Sequence, residues 1–171
     1  MKKIFLTLCL IAGLGFAAQA QKFATVDMGY IMKNIPAYES ANEQLNQVSK
    51  KWQAEVDAKM KEVQQLYKNY QTELVFMSDE MKVKREEEIV AKEKAAQELK
   101  RSYFGPEGEL FKKRESLMKP IQDEVYNAIQ ELSNTKGLDL IFDKSSAMSA
   151  IFVSQKLDIS DEVLKKLGFS K

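Results

Sequence analysis

Between Tyr38 and Met77 apolar side chains recur every three or four residues, at Ala41, Leu45, Val48, Trp52, Val56, Met60, Val63, Tyr67, Tyr70, Leu74 and Met77. That spacing holds one stripe on a single long helix. At 1.5 Å per residue the segment reaches roughly 60 Å, so it cannot fold back into a globular core and needs a partner rod. Three consecutive steps of four from Val48 to Met60 exceed a strict heptad, which locally unwinds a supercoil.

A partner follows directly. After a break at Ser78-Asp79 the chain from Met81 to Tyr103 has helical spacing again, with a sparser stripe of Ile89, Ala96, Leu99 and Tyr103. Residues 39–80 hold five basic and eight acidic side chains, whereas 81–114 hold ten and seven. Similar length and opposed charge predict an antiparallel hairpin with its tip near 76–81. Gly105-Pro106-Glu107-Gly108 then interrupts the return arm, because proline removes a backbone donor and glycine relaxes the chain. Gly105, Pro106 and Gly108 are therefore assigned as a hinge, lying opposite Trp52 if the turn is near residue 78. The helix resumes through Leu110, Phe111, Leu117, Ile121, Val125, Ile129 and Leu132, with a kink expected at Pro120 and an end before Asn134.

The remaining pieces are short. Phe23 to Val26, Leu138 to Phe142 and Ala150 to Val153 are rich in β-branched or aromatic residues and predict strands. Ser160 is the expected N-cap of a closing helix with Gly168 just past its end. Residues 21–38 and 138–171 total only 52, a size at which a core is marginal. Without disulfides or metal, oligomerisation is the natural remedy, and pooling short strands between subunits removes exposed edges. The expected fold is α+β, mostly α: a small oligomeric β-body with long antiparallel helical-hairpin, coiled-coil arms. Residues 21–38 and 121–171 form the body, built on Phe23, Val26, Leu138, Leu140, Phe142, Ile151 and Val153, and residues 39–120 form the arm.

The start of the chain bears on compartment. Lys2 and Lys3, the apolar run Ile4 to Ala17 and Ala18-Gln19-Ala20 have the pattern of a secretory signal peptide cleaved after Ala20, which predicts export of a mature chain starting at Gln21. Cys9, the only cysteine, sits mid-run after Leu8 rather than behind a small residue at the cleavage site, which disfavours lipidation. The 26 basic residues less Lys2 and Lys3 leave 24 against 25 acidic ones, so bulk charge does not point to nucleic acid. With no histidine, no cysteine after the leader and no GxxxxGK[ST] loop, the commonest base, thiol nucleophile and phosphate cradle are missing. No enzyme, metal or cofactor is expected. Glu86-Glu87-Glu88 and Asp161-Glu162 are assigned as a solvated face and a helix cap.

Two kinds of surface suit binding. Val75, Phe76, Met77 and Met81 gather at the expected tip, either clamping the turn or offering the adaptable apolar contact that methionine provides. Tyr67, Tyr70 and Tyr103 either pack in the seam or face a cavity. Lys84 and Arg85, with Lys82, Lys92, Lys94, Lys100 and Arg101, either attract acidic segments or pair with Glu43, Glu55, Asp57, Glu62 and Glu73 across the hairpin.

Three blocks resemble the Skp/OmpH family of periplasmic chaperones. Lys22-Phe23-Ala24-Thr25-Val26-Asp27-Met28-Gly29 is similar to its opening strand and turn. Ile121 to Ala128, continuing to Gly137-Leu138-Asp139-Leu140-Ile141-Phe142-Asp143, is similar to its returning helix and next strand. Leu157-Asp158-Ile159-Ser160-Asp161-Glu162-Val163-Leu164-Lys165-Lys166-Leu167 is similar to its terminal Asp-Ile-Thr/Ser and short helix. The resemblance implies a homotrimer with helical tentacles, an ATP-independent holdase that shelters unfolded outer-membrane proteins, and weak contact with the membrane surface or lipopolysaccharide. Family members that bind anionic lipid strongly are markedly basic, whereas this chain is near neutral. The competing expectation is a structural coiled-coil scaffold of the cell envelope with one defined partner.

Overall fold

The computed structural model describes residues 21–146 and 151–169. The expected leader, residues 1–20, and Ala150 lie outside the described residues. In chain order the elements are β1 (Phe23–Val26), α1 (Met28–Lys33), α2 (Pro36–Glu73), α3 (Asp79–Phe104), α4 (Glu109–Lys136), β2 (Leu140–Asp143) and α5 (Ser160–Lys166), with single 3-10 turns at Leu74–Phe76 and Gln155–Leu157.

The fold is mostly helical with one small sheet. β1 and β2 pair in parallel, Phe23 opposite Leu140 and Val26 opposite Asp143, with all of α1 to α4 as the crossover between them. Asp27 starts α1, its Oδ1 accepting the Tyr30 amide at 2.8 Å. Pro36 opens α2 at a position where the missing N–H has no helical role. The 38 residues of α2 extend about 57 Å. Ser78 caps α3 by accepting the Met81 amide at 3.4 Å. Gly137, at φ 63° and ψ 47°, closes α4 in the left-handed conformation that favours glycine. Pro120 is accommodated inside α4, which runs without interruption to Lys136, beyond the expected end before Asn134.

The core is confined to the base of the hairpin. Ala24 and Val26 from β1, Ile31, Met32 and Ile35 around α1, Ala41 from α2, Ile121, Val125 and Ala128 from α4, and Ile159, Val163 and Leu164 around α5 form one buried cluster. Beyond Ala41 the buried apolar side chains of the arm are Leu45, Val56, Ile89 and Ala96, so the seam is thinner than the continuous stripe suggested. Two helices share a line of contact, not a volume, and the flanks of each stripe stay wet.

The C-terminal segment is joined to the sheet by polar contacts. Ile159 N donates to Thr25 O at 2.9 Å. Asp158 accepts Lys144 Nζ at 2.6 Å and both the amide and hydroxyl of Ser160, at 2.9 and 2.5 Å, while Ser160 Oγ accepts the Asp27 amide at 2.8 Å. Partial burial pushes the Asp158 carboxyl up, but Lys144 and Ser160 outweigh it and hold it below the usual aspartate range. Ser160 is therefore not the N-cap: it is the first helical residue, and its side chain serves the sheet. The third expected strand is also absent in the single chain. Ile151 to Val153 have no regular structure, and Ile151 and Phe152 are 104% and 84% exposed.

Candidate functional site

The distal end of the arm carries the largest uncovered apolar side chains of the hairpin. α2 gives way to the 3-10 turn at Leu74–Phe76 and the chain reverses before Ser78. A turn this tight between two helices leaves no third element to cover outward side chains. Phe76 is 86% and Val75 81% exposed, and Met81 stands out beside them. Phe76 therefore buries little surface against the turn, where Met77 is half-buried.

Seam packing divides the three tyrosines. Tyr103 lies in the seam, its ring stacked on Trp52 at 4.7 Å and its hydroxyl donating to Glu55 at 2.6 Å. Tyr70 is half-buried and donates to Glu86. Both hydroxyls lose their protons above the usual tyrosine range, because ionisation would set a phenolate against the carboxylate each one serves. Tyr67 is exposed, and so are Val83 and Val90 on the opposite helix. These two valines went unremarked in the sequence, although their spacing of seven was the available signal.

Lys82, Lys84, Arg85, Lys92 and Lys94 pair along the arm, with Arg85 and Lys92 reaching across the hairpin and the other three bonded within α3. Arg85 reaches Glu73 across the hairpin at 3.7 Å and Glu88 on its own helix at 3.6 Å, and Lys92 reaches Glu62 at 2.7 Å. Lys84 pairs with Glu80 at 2.7 Å, one turn away in α3. The Glu62 carboxyl is held down by the Lys92 ammonium, which is held up in return. Both side chains are well exposed, so the pair contributes little stability.

Around residues 105–108 the break is a closed turn. Gly105 N donates to Arg101 O at 2.8 Å, and Gly108 N to Gly105 O at 2.9 Å. A Cβ on Gly105 would lie 2.5 Å from Arg101 O, and one on Gly108 2.7 Å from Tyr103 O. The glycines are needed for close backbone approach, since both have ordinary negative φ. Pro106 sits between them, exposed.

The body residues separate into buried and bare. Val26 is buried, Leu138 packs against the core, and Phe142 and Val153 are half-buried. Phe23 and Leu140, paired in the sheet, are 50% and 51% exposed. Among the described residues no helix is long and apolar enough to cross a membrane.

A family model described as outer membrane protein (OmpH-like) matches residues 22–167. A protein of Aquifex aeolicus (strain VF5) with no described role is 28% identical over 167 residues, covering 98% of this chain and 96% of its own. The fold is similar to a crystal structure from Caulobacter crescentus CB15, described as a candidate outer membrane chaperone (OmpH-like). The TM-score is 0.68 at 13% identity, covering 86% of this chain and 83% of that one.

Proposed function

Because this chain belongs to the outer membrane protein (OmpH-like) family, we propose that it is an ATP-independent periplasmic holdase that binds unfolded outer-membrane proteins and prevents their aggregation in transit. The observation that carries this reading is the uncovered apolar tip, Val75, Phe76 and Met81, on an arm too thin to bury it. A holdase engages unrelated sequences weakly at many points, which calls for adaptable apolar surface away from a competing core.

The reading includes a homotrimer built on the body and an export leader removed after Ala20. Self-association is supported by the exposed Phe23–Leu140 pair and by the bare Ile151 and Phe152, because a two-stranded sheet is marginal by itself. The turn at 105–108 is assigned as the joint at which the arm adapts to clients. Aggregation assays with several unrelated unfolded outer-membrane β-barrels test the function. Protection of all of them supports a holdase, and protection of none, or of a single partner, supports a scaffold.

A further inference from the structure

One flank of the distal arm differs in charge from the other. Met60 and Tyr67 on α2 and Leu74 at the start of the 3-10 turn recur every seven residues, and Val83 and Val90 do so on α3; all five are exposed. Seven residues are close to two helical turns, so each set lies on one line. The Trp52–Tyr103 stack and the Glu62–Lys92 and Glu73–Arg85 pairs fix the antiparallel register, which brings Tyr67 level with Val90 and Leu74 level with Val83. A groove of about 450 Å³ runs here, floored by Met60, Val63, Tyr67, Ile89 and Val90, with Glu86 and Glu93 on its wall. No lysine or arginine lines it.

Two cations of α3, Lys92 and Arg85, are engaged on the other flank, while Lys82 pairs with Asp79 at 3.0 Å and Lys94 with Glu98 at 3.9 Å. Glu62 is two residues beyond Met60 and so falls on the other flank of α2, where it holds Lys92 at 2.7 Å. Glu73 faces Arg85 on that same side. One flank is thus charge-paired, and the other is apolar with unmatched carboxylates beside it. Glu93 has the Gln97 amide as a neighbour at 3.2 Å, and Glu86 receives the Tyr70 hydroxyl; each carboxylate keeps lone pairs for a further donor.

We infer that this groove is the client-facing side of the arm, and that it takes extended apolar segments of unfolded polypeptide carrying lysine or arginine in preference to acidic ones. Methionine and tyrosine supply adaptable, amphipathic contact, while the carboxylates supply charge-assisted acceptors for ammonium or guanidinium groups. The inference rests on the holdase reading and adds the side of the arm that meets the client and the client's charge.

The test uses the oligomeric mature protein and two labelled peptides of identical apolar sequence, one flanked by lysines and one by glutamates, followed by fluorescence anisotropy. The lysine-flanked peptide should bind roughly fivefold more tightly at low salt, and the margin should shrink at high salt. Glu93→Lys should invert the preference, and Val90→Ser with Tyr67→Ser should weaken both peptides. Equal affinities, or a preference for the glutamate-flanked peptide, would overturn the inference. So would weakening by neither groove variant, or self-association that Val90→Glu abolishes, which would give the flank to a second copy. Failure to bind either peptide while unfolded β-barrels still stay soluble would remove the groove and leave the holdase standing. Selective binding with aggregating β-barrels would do the reverse.

Discussion

The Trp52 indole lies flat on the Tyr103 ring, with centroids 4.7 Å apart and planes 7° from parallel, while the Tyr103 hydroxyl reaches Glu55 at 2.6 Å. The stack sits two residues before Gly105 of the glycine-proline joint and ties α2 to α3. It fixes the register of the hairpin where the α3 backbone is about to stop.

Trp52→Ala should therefore destabilise the arm more than its half-exposed position suggests, by about 1–3 kcal/mol. Hydrogen exchange across 100–104 should accelerate while the body stays protected. Tyr103→Phe keeps the stack and should cause a smaller change. Because the Tyr103 hydroxyl ionises late, its contribution is complete at neutral pH and is lost only as pH rises past the usual tyrosine value of about 10.

Gly105→Ala and Gly108→Ala each place a methyl group within 2.7 Å of a backbone carbonyl, so the turn must move. Each should lower stability by about 1–3 kcal/mol and change the angle of the arm, measured by X-ray scattering of the oligomer. Pro106→Ala, at an exposed position, should be mild by comparison.

At the tip, Val75→Ser, Phe76→Ser and Met81→Ser together should leave the melting temperature almost unchanged, since exposed substitutions fall within about 0.5 kcal/mol. Suppression of client aggregation should fall severalfold. Full suppression with a lowered melting temperature would mean that these side chains hold the turn.

Acid should loosen the body before the arm seam. The Asp158 carboxyl is depressed despite its partial burial, and Asp143 is likewise depressed, burial being outweighed by the Ser145, Met28 and Ser146 groups around it. A depressed carboxylate stabilises the fold above its unfolded value, about 4, and that stability disappears as pH falls through the lower folded value. Asp158→Ala should cost about 1.5–3 kcal/mol at neutral pH and flatten the acid limb of a stability profile.

The hairpin was legible because periodicity reports one buried face over many turns, and the turn at Leu74–Phe76 lies within a few residues of the expected tip. Gly105 was expected opposite Trp52, and Tyr103 is found there. Exposure was harder to foresee. Met60 and Tyr67 belong to the same stripe as Val56, yet Val56 is buried and they are not, because a two-helix seam covers only the centre of a stripe. Ser160 had the composition of a cap, but its role depends on Asp27 and Asp158, the former more than a hundred residues away. The run from Ile151 to Val153 had strand composition without a strand to pair with in one chain, and composition does not specify a partner.

The most direct test of the holdase reading is the light-scattering mass of the purified mature protein, with and without a urea-diluted outer-membrane β-barrel. A holdase trimer should have a mass of roughly 52 kDa for three mature chains and take up the client into one soluble complex. An oligomer that keeps its own mass while the client precipitates would contradict it.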